Sequence, residues 1–96
     1  MYATIQRHAA GGAPSDDCVR AGRALGAHLG ELPGFVAYVL VEEPGGGYTA
    51  VSIFEDRAGV EDAERLVAAW LAAHPGVPWP DPARLAAGEV VVQKGL

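Results

Sequence analysis

His74 and Trp70 are the residues best placed to do chemistry. They lie four apart in a helical pattern, so one face of one helix carries both. A histidine titrates near neutrality and can serve a cleft as proton shuttle or ligand contact. At the end of a helix it can instead favour the dipole and hydrogen-bond a terminal carbonyl. Trp70 is either a core anchor or the wall of a ligand site, and its indole N–H needs a partner in both roles. Tyr38 brings a hydroxyl into an otherwise apolar run, as a packed interface tyrosine or as a pocket donor. Trp79 stands between prolines, where it is exposed unless it caps something; a lid over the same cleft is one such role.

Other chemistries find little support. His8, His28 and His74 do not share metal-ligand spacing, and no metal site is expected. Gly45-Gly46-Gly47 precedes a strand pattern rather than a helix, so it reads as a turn and not as a phosphate loop. Cys18 is the single cysteine, which excludes an intrachain disulfide. Asp16 and Asp17 beside it oppose a reactive thiolate, so it reads as a small hydrophobe. The net charge of −5 and seven scattered basic residues argue against nucleic acid and against an anionic membrane surface. Met1 to His8 lacks a secretory signal pattern, and the longest apolar run, Phe35 to Val41, cannot span a bilayer. A cytoplasmic location is expected.

The elements that position these residues read in a definite order. Tyr2 to His8 is a strand ending at a Gly-rich connection, Ala9 to Pro14. Ser15 can cap a helix that runs to Leu32 and places Cys18, Ala21, Leu25, Leu29 and Leu32 on one stripe. Gly22, Gly26 and Gly30 form a row beside that stripe. They permit either close backbone packing or room for a small ligand. Phe35 to Val41 is apolar at nearly every position, which predicts a strand covered on both faces. A Gly-rich turn leads to an antiparallel strand, Tyr48 to Phe54. Asp56 caps a second helix whose apolar face carries Val60, Ala63, Leu66, Val67, Trp70, Leu71 and His74. Pro75-Gly76 ends it, a stiff extended loop, Val77 to Pro82, follows, and Glu89 to Lys94 reads as the last strand, centred on three valines. One domain, 1–96, is expected, of α+β class: a ferredoxin-like βαββαβ unit with a four-stranded antiparallel sheet and two helices on one face. Trp70 is expected to point toward the sheet beside the glycine row, with His74 one turn nearer the mouth of the cleft.

Pro33-Gly34-Phe35-Val36-Ala37-Tyr38, Ser52-Ile53-Phe54-Glu55-Asp56-Arg57, the helix bearing Trp70, and Pro82 leading into Gly88-Glu89-Val90 resemble the antibiotic biosynthesis monooxygenase-like superfamily, in particular its small bacterial members. The resemblance covers nearly the whole chain. It implies a dimeric α/β barrel, in which two ferredoxin-like protomers pair their sheets face to face. It also implies a ligand cleft between sheet and helices in each protomer. Some members oxidise quinol-type aromatics with molecular oxygen and no cofactor; others bind and degrade haem. The quinol oxygenases carry an Asn one turn before a helix-two Trp, where this chain has Leu66. The haem degraders use an Asn on strand one, for which Gln6 is a longer stand-in, together with a Trp and a His spaced more widely than Trp70 and His74. The mismatched Asn favours a homodimer that binds a small apolar or aromatic molecule through Trp70, Gln6, Tyr38 and Trp79, with no cofactor. A cofactor-independent monooxygenase with His74 as its catalytic base is the alternative.

Overall fold

The computed structural model describes residues 1–8, 15–77 and 83–96. The elements are β1 (Tyr2–His8), α1 (Ser15–Leu29), β2 (Phe35–Glu42), β3 (Tyr48–Phe54), α2 (Arg57–Ala73) and β4 (Ala83–Glu89). The strands form one sheet in the order β2-β3-β1-β4, and every neighbouring pair is antiparallel. This is the βαββαβ, ferredoxin-like arrangement read from the sequence.

The register sorts the side chains. Opposite pairs Tyr2↔Phe54, Thr4↔Ser52, Gln6↔Ala50 and His8↔Tyr48 fix one face of β1 and β3. Tyr38↔Ser52 and Leu40↔Ala50 add β2 to it. Thr4, His8, Tyr48, Ala50, Ser52 and Phe54 on this face are buried. β3 alternates between buried and half-buried along its whole length, as a strand with one face under a layer should. The helices supply that layer. Cys18, Ala21, Leu25 and Leu29 from α1 and Val60, Ala63 and Val67 from α2 form the core with Tyr48 and Phe54. Both helical sets follow the three-and-four spacing of an amphipathic stripe.

Two local contacts decide how α2 sits. Asp56 accepts a hydrogen bond from the Gly59 N–H at 3.0 Å, capping the helix. A Cβ on Gly59 would lie 2.8 Å from Cβ and Cδ1 of Phe54, so only glycine lets the first turn approach β3 this closely. Across the far side, Arg84 of β4 donates to both carboxylate oxygens of Glu64 at 2.9 and 2.7 Å, tying the edge strand to α2.

Two expectations change. Helix α1 ends at Leu29 rather than Leu32; Glu31 and Leu32 donate to the carbonyls of His28 and Leu29, a tighter turn that leads into Pro33. The last strand spans Ala83–Glu89, not Glu89 to Lys94. Its partner is β1, and Val90 N–H donates to the Met1 carbonyl at 2.9 Å. The valines have strand propensity but join no ladder among the described residues. Within the protomer the helix layer covers one face of β2. Tyr38 and Leu40 pack on the core, whereas Val39 is 51% exposed and Val41 48%. Capping of α1 by the Ser15 side chain, the 9–14 connection and most of the proline-rich loop lie outside the described residues. Among the described residues no helix is long and apolar enough to cross a membrane.

Candidate functional site

Helix α1 separates two concavities. The larger, about 540 Å³, runs between the two helices. Asp17, Arg20, Ala21, Ala24 and His28 line it from α1, and Trp70, His74, Gly76 and Val77 line it from the end of α2. The α1 residues recur at helical spacing, one position to the side of the core stripe. Ala21 and Ala24 leave the floor shallow enough for the Trp70 ring to border the groove while half-buried against the core.

Trp70 and His74 are stacked, with ring centroids 4.3 Å apart and planes inclined by 22°. His74 is the C-cap of α2, with φ −126° and ψ 66°, so its backbone has left the helix. The residue is exposed, not part of the buried apolar face that helical spacing suggested. Its Nδ1 lies 2.7 Å from the Trp70 carbonyl oxygen. A carbonyl only accepts, so Nδ1 carries the proton in this bond, and the neutral ring keeps its lone pair at Nε2. The carbonyl-bonding role and the groove-lining role, alternatives in the sequence, thus occur together.

The smaller concavity, about 310 Å³, lies between α1 and the β2 edge of the sheet. Val19, Gly22, Arg23 and Gly26 face Tyr38, Leu40, Glu42 and Tyr48 across it. A Cβ on Gly26 would lie 3.2 Å from Cδ2 of Tyr38, tighter than ordinary contact. Gly26 therefore accommodates the Tyr38 ring, and Trp70 lies with the alanines that line the interhelical groove. This corrects the expected pairing of Trp70 with the glycines; both residues are on α1-facing surfaces, but a helix has more than one side. The Tyr38 hydroxyl is buried with no hydrogen-bond partner among the described residues, and burial pushes its pKa up to about 12. Tyr48 donates to Glu42 Oε2 at 3.3 Å. Its pKa rises to about 12 through burial first, then through Cys18 and Glu42 nearby. Both phenols are neutral donors at physiological pH.

The expected site residues are thus divided. Trp70 and His74 share the interhelical groove, and Tyr38 belongs to the second concavity. Gln6 is half-buried on the helix-facing side of β1, opposite Ala50, and lines neither. Trp79 lies outside the described residues. Sequence reasoning missed Asp17, Arg20 and Ala24 and left His28 without a role. Their common helical spacing was visible, but the element facing them was not. Among the described residues no group of three or more His, Cys, Asp or Glu is placed to hold a metal. A further polar cluster lies on the open sheet face: Arg7 Nε and Nη2 donate to Glu43 at 3.0 and 2.9 Å, and Thr49 donates to the same carboxylate at 2.7 Å. The hydrogen bonds from Arg7 and Thr49 hold the Glu43 carboxyl below its usual range.

No family model matches the chain, and no curated protein matches it by sequence. Solved structures do match it. The haem degrader MhuD from Mycobacterium tuberculosis, with two haems bound in its active site, superposes with a TM-score of 0.72 at 19% identity, covering 99% of this chain and 100% of that one. An antibiotic biosynthesis monooxygenase gives 0.69 at 19% identity over 96% of this chain and 100% of that one. SnoaB, a cofactor-independent oxygenase from Streptomyces nogalater, gives 0.64 at 19% identity over 99% and 95% of the two chains. The fold is therefore the ferredoxin-like fold of the antibiotic biosynthesis monooxygenase structures.

Proposed function

We propose that this protein is a single-domain homodimer that binds a small apolar or aromatic molecule in the groove between α1 and α2. The observation that carries the reading is Trp70, half-buried on one side and bordering a groove of about 540 Å³ on the other. That volume falls within the roughly 300–1,000 Å³ of small-molecule sites, whereas the Tyr38 concavity is at its lower limit. Ala21, Ala24, Trp70 and Val77 provide apolar surface, and Asp17, Arg20, His28 and His74 provide a polar rim. Proteins of the same fold bind haem or oxidise substrates without a cofactor, which supports a planar ligand.

The sheet supports the dimer. Ala3, Ile5, Ala37, Val39, Val41, Val51 and Ile53 share its open face by register, with the Arg7–Glu43–Thr49 cluster on the same face. A second copy covering this face would explain why β2 is apolar on both sides. A cytoplasmic location fits the lone, buried Cys18, and an acidic chain fits neither nucleic acid nor membrane partners.

Calorimetric titration with 1-naphthol tests the ligand reading, with Trp70→Ala as the variant. A lost aromatic pair is worth about 0.5–1.5 kcal/mol beyond area burial, so Trp70→Ala should weaken binding by roughly tenfold. Binding unchanged within twofold would remove the groove from consideration. A second reading, cofactor-free oxygenation of a quinol, is favoured by one observation: His74 Nε2 keeps its lone pair beside the groove and can accept a phenolic proton. Oxygen uptake with a quinol panel, slowed roughly 10²–10⁴-fold in His74→Ala, is its expected signature.

A further inference from the structure

The smaller concavity, between α1 and β2, has the makings of a second binding site, separate from the interhelical groove. At about 310 Å³ it lies at the lower end of small-molecule sites, so its ligand is small. Val19, Leu40 and the Tyr38 ring, all half-buried, give it an apolar floor. Gly22 and Gly26 add only backbone from the helix side. The lining is built into both elements. Positions 19, 22, 23 and 26 form one stripe at helical spacing, and 38, 40 and 42 alternate onto one face of a strand.

Two opposite charges stand at the rim of this hollow, Arg23 from α1 and Glu42 from the end of β2. Both residues are exposed, and among the described residues neither takes part in an ion pair. Arg20, on the preceding turn, is already paired with Asp17 at 3.8 Å. Arg23 therefore keeps its guanidinium for another partner.

Glu42 is held in place. The register sets it opposite Tyr48, whose hydroxyl donates to Oε2 at 3.3 Å. Tyr48 is 2% exposed, so the anchor is a packed side chain and not another mobile surface group. A carboxylate with one such bond keeps further acceptor capacity.

From this arrangement we infer that the α1–β2 hollow binds a small apolar α-amino acid in its zwitterionic form. Arg23 takes the α-carboxylate with its planar fork of donors, and Glu42 accepts from the α-ammonium. The aliphatic side chain lies on the floor made by Val19, Leu40 and Tyr38. A fatty acid or a simple amine would leave one of the two charges unanswered. A charged side chain would lose its hydration against the apolar floor. In a peptide the carboxylate and the ammonium no longer share one carbon. The hollow is on the helix side of the sheet, so a second copy on the open face leaves it accessible.

Calorimetric titration of the wild type with L-leucine, isocaproate and isoamylamine tests the inference. Isocaproate lacks the ammonium of leucine, and isoamylamine lacks the carboxylate. Leucine should bind saturably, and each analogue should bind at least about tenfold more weakly, because each loses one charge-assisted set of hydrogen bonds. Arg23→Gln and Glu42→Gln, both at exposed positions, should each weaken leucine binding by a similar factor. No saturable binding of leucine would overturn the inference. So would an analogue that binds within twofold of leucine. Leucine binding that both variants keep within twofold would overturn the placement between α1 and β2. Neither Arg23 nor Glu42 lines the interhelical groove, so these outcomes are independent of the fate of 1-naphthol and Trp70.

Discussion

Tyr38→Phe should stabilise this protein, against the usual direction of that substitution. The change deletes one hydroxyl and leaves the ring against Gly26 in place. Among the described residues that hydroxyl is buried without a partner. Burying a hydroxyl without a hydrogen bond costs about 1–3 kcal/mol on protein data, so its removal should return a gain of that order, less the small void left behind. The ionisation of Tyr38 gives a second, independent magnitude. A pKa raised from 10.0 to about 12 means that the unfolded chain loses its proton first as pH rises. Stability from this group is therefore complete below pH 10 and is lost between about pH 10 and 12. Two units at about 1.36 kcal/mol each make the loss about 2–3 kcal/mol. Tyr48 contributes a loss of the same sign, common to both proteins. The assay is urea unfolding of wild type and Tyr38→Phe at one fixed protein concentration, at pH 8 and at intervals up to pH 12. The variant should be more stable at pH 8, and its advantage should grow by about 2–3 kcal/mol by pH 12. A variant less stable at pH 8 would show that the hydroxyl has a partner in solution. Parallel stability curves from pH 8 to 12 would show that Tyr38 is not desolvated.

Gly59→Ala should destabilise the fold even though alanine gains about 1 kcal/mol of helix propensity, because the new Cβ meets Phe54 at 2.8 Å and overpacking costs about 1–3 kcal/mol; thermal unfolding beside Gly45→Ala, where nothing lies within 4 Å, checks it. Val39→Asp places a carboxylate on the open sheet face and should convert the proposed dimer to a monomer by light scattering, while Leu40→Asp, facing the core, should destabilise the fold. Glu43→Gln should flatten the acid side of the stability curve. The carboxyl held low by Arg7 and Thr49 contributes stability above pH 4.5 that fades as pH falls through its folded value, and urea midpoints between pH 3 and 6 would show the difference.

Most of the architecture was legible from local pattern. β3 alternates, α1 and α2 carry apolar residues at helical spacing, and Asp56 and the Gly45–Gly47 turn mark boundaries that depend only on neighbouring residues. Those signals are local because propensity, capping and turn geometry act within a few residues. The fourth strand was not legible in this way. Val90 to Val92 have the stronger strand propensity, yet the Ala/Gly-rich stretch 83–89 takes the place beside β1. A strand forms where a ladder is available, and the position of β1 decides that. The site divides likewise. The helical spacing of Trp70 and His74 foretold that they would meet, and they stack at 4.3 Å. Whether Trp70 or Tyr38 would face Gly26 depended on the rotation of α1 about its own axis. That rotation is set by Leu25 and Leu29 joining the buried core that also holds Phe54 and Val60, residues distant along the chain. Spacing along one helix is a local property; which neighbour fills the space beside it is decided only when the layers pack.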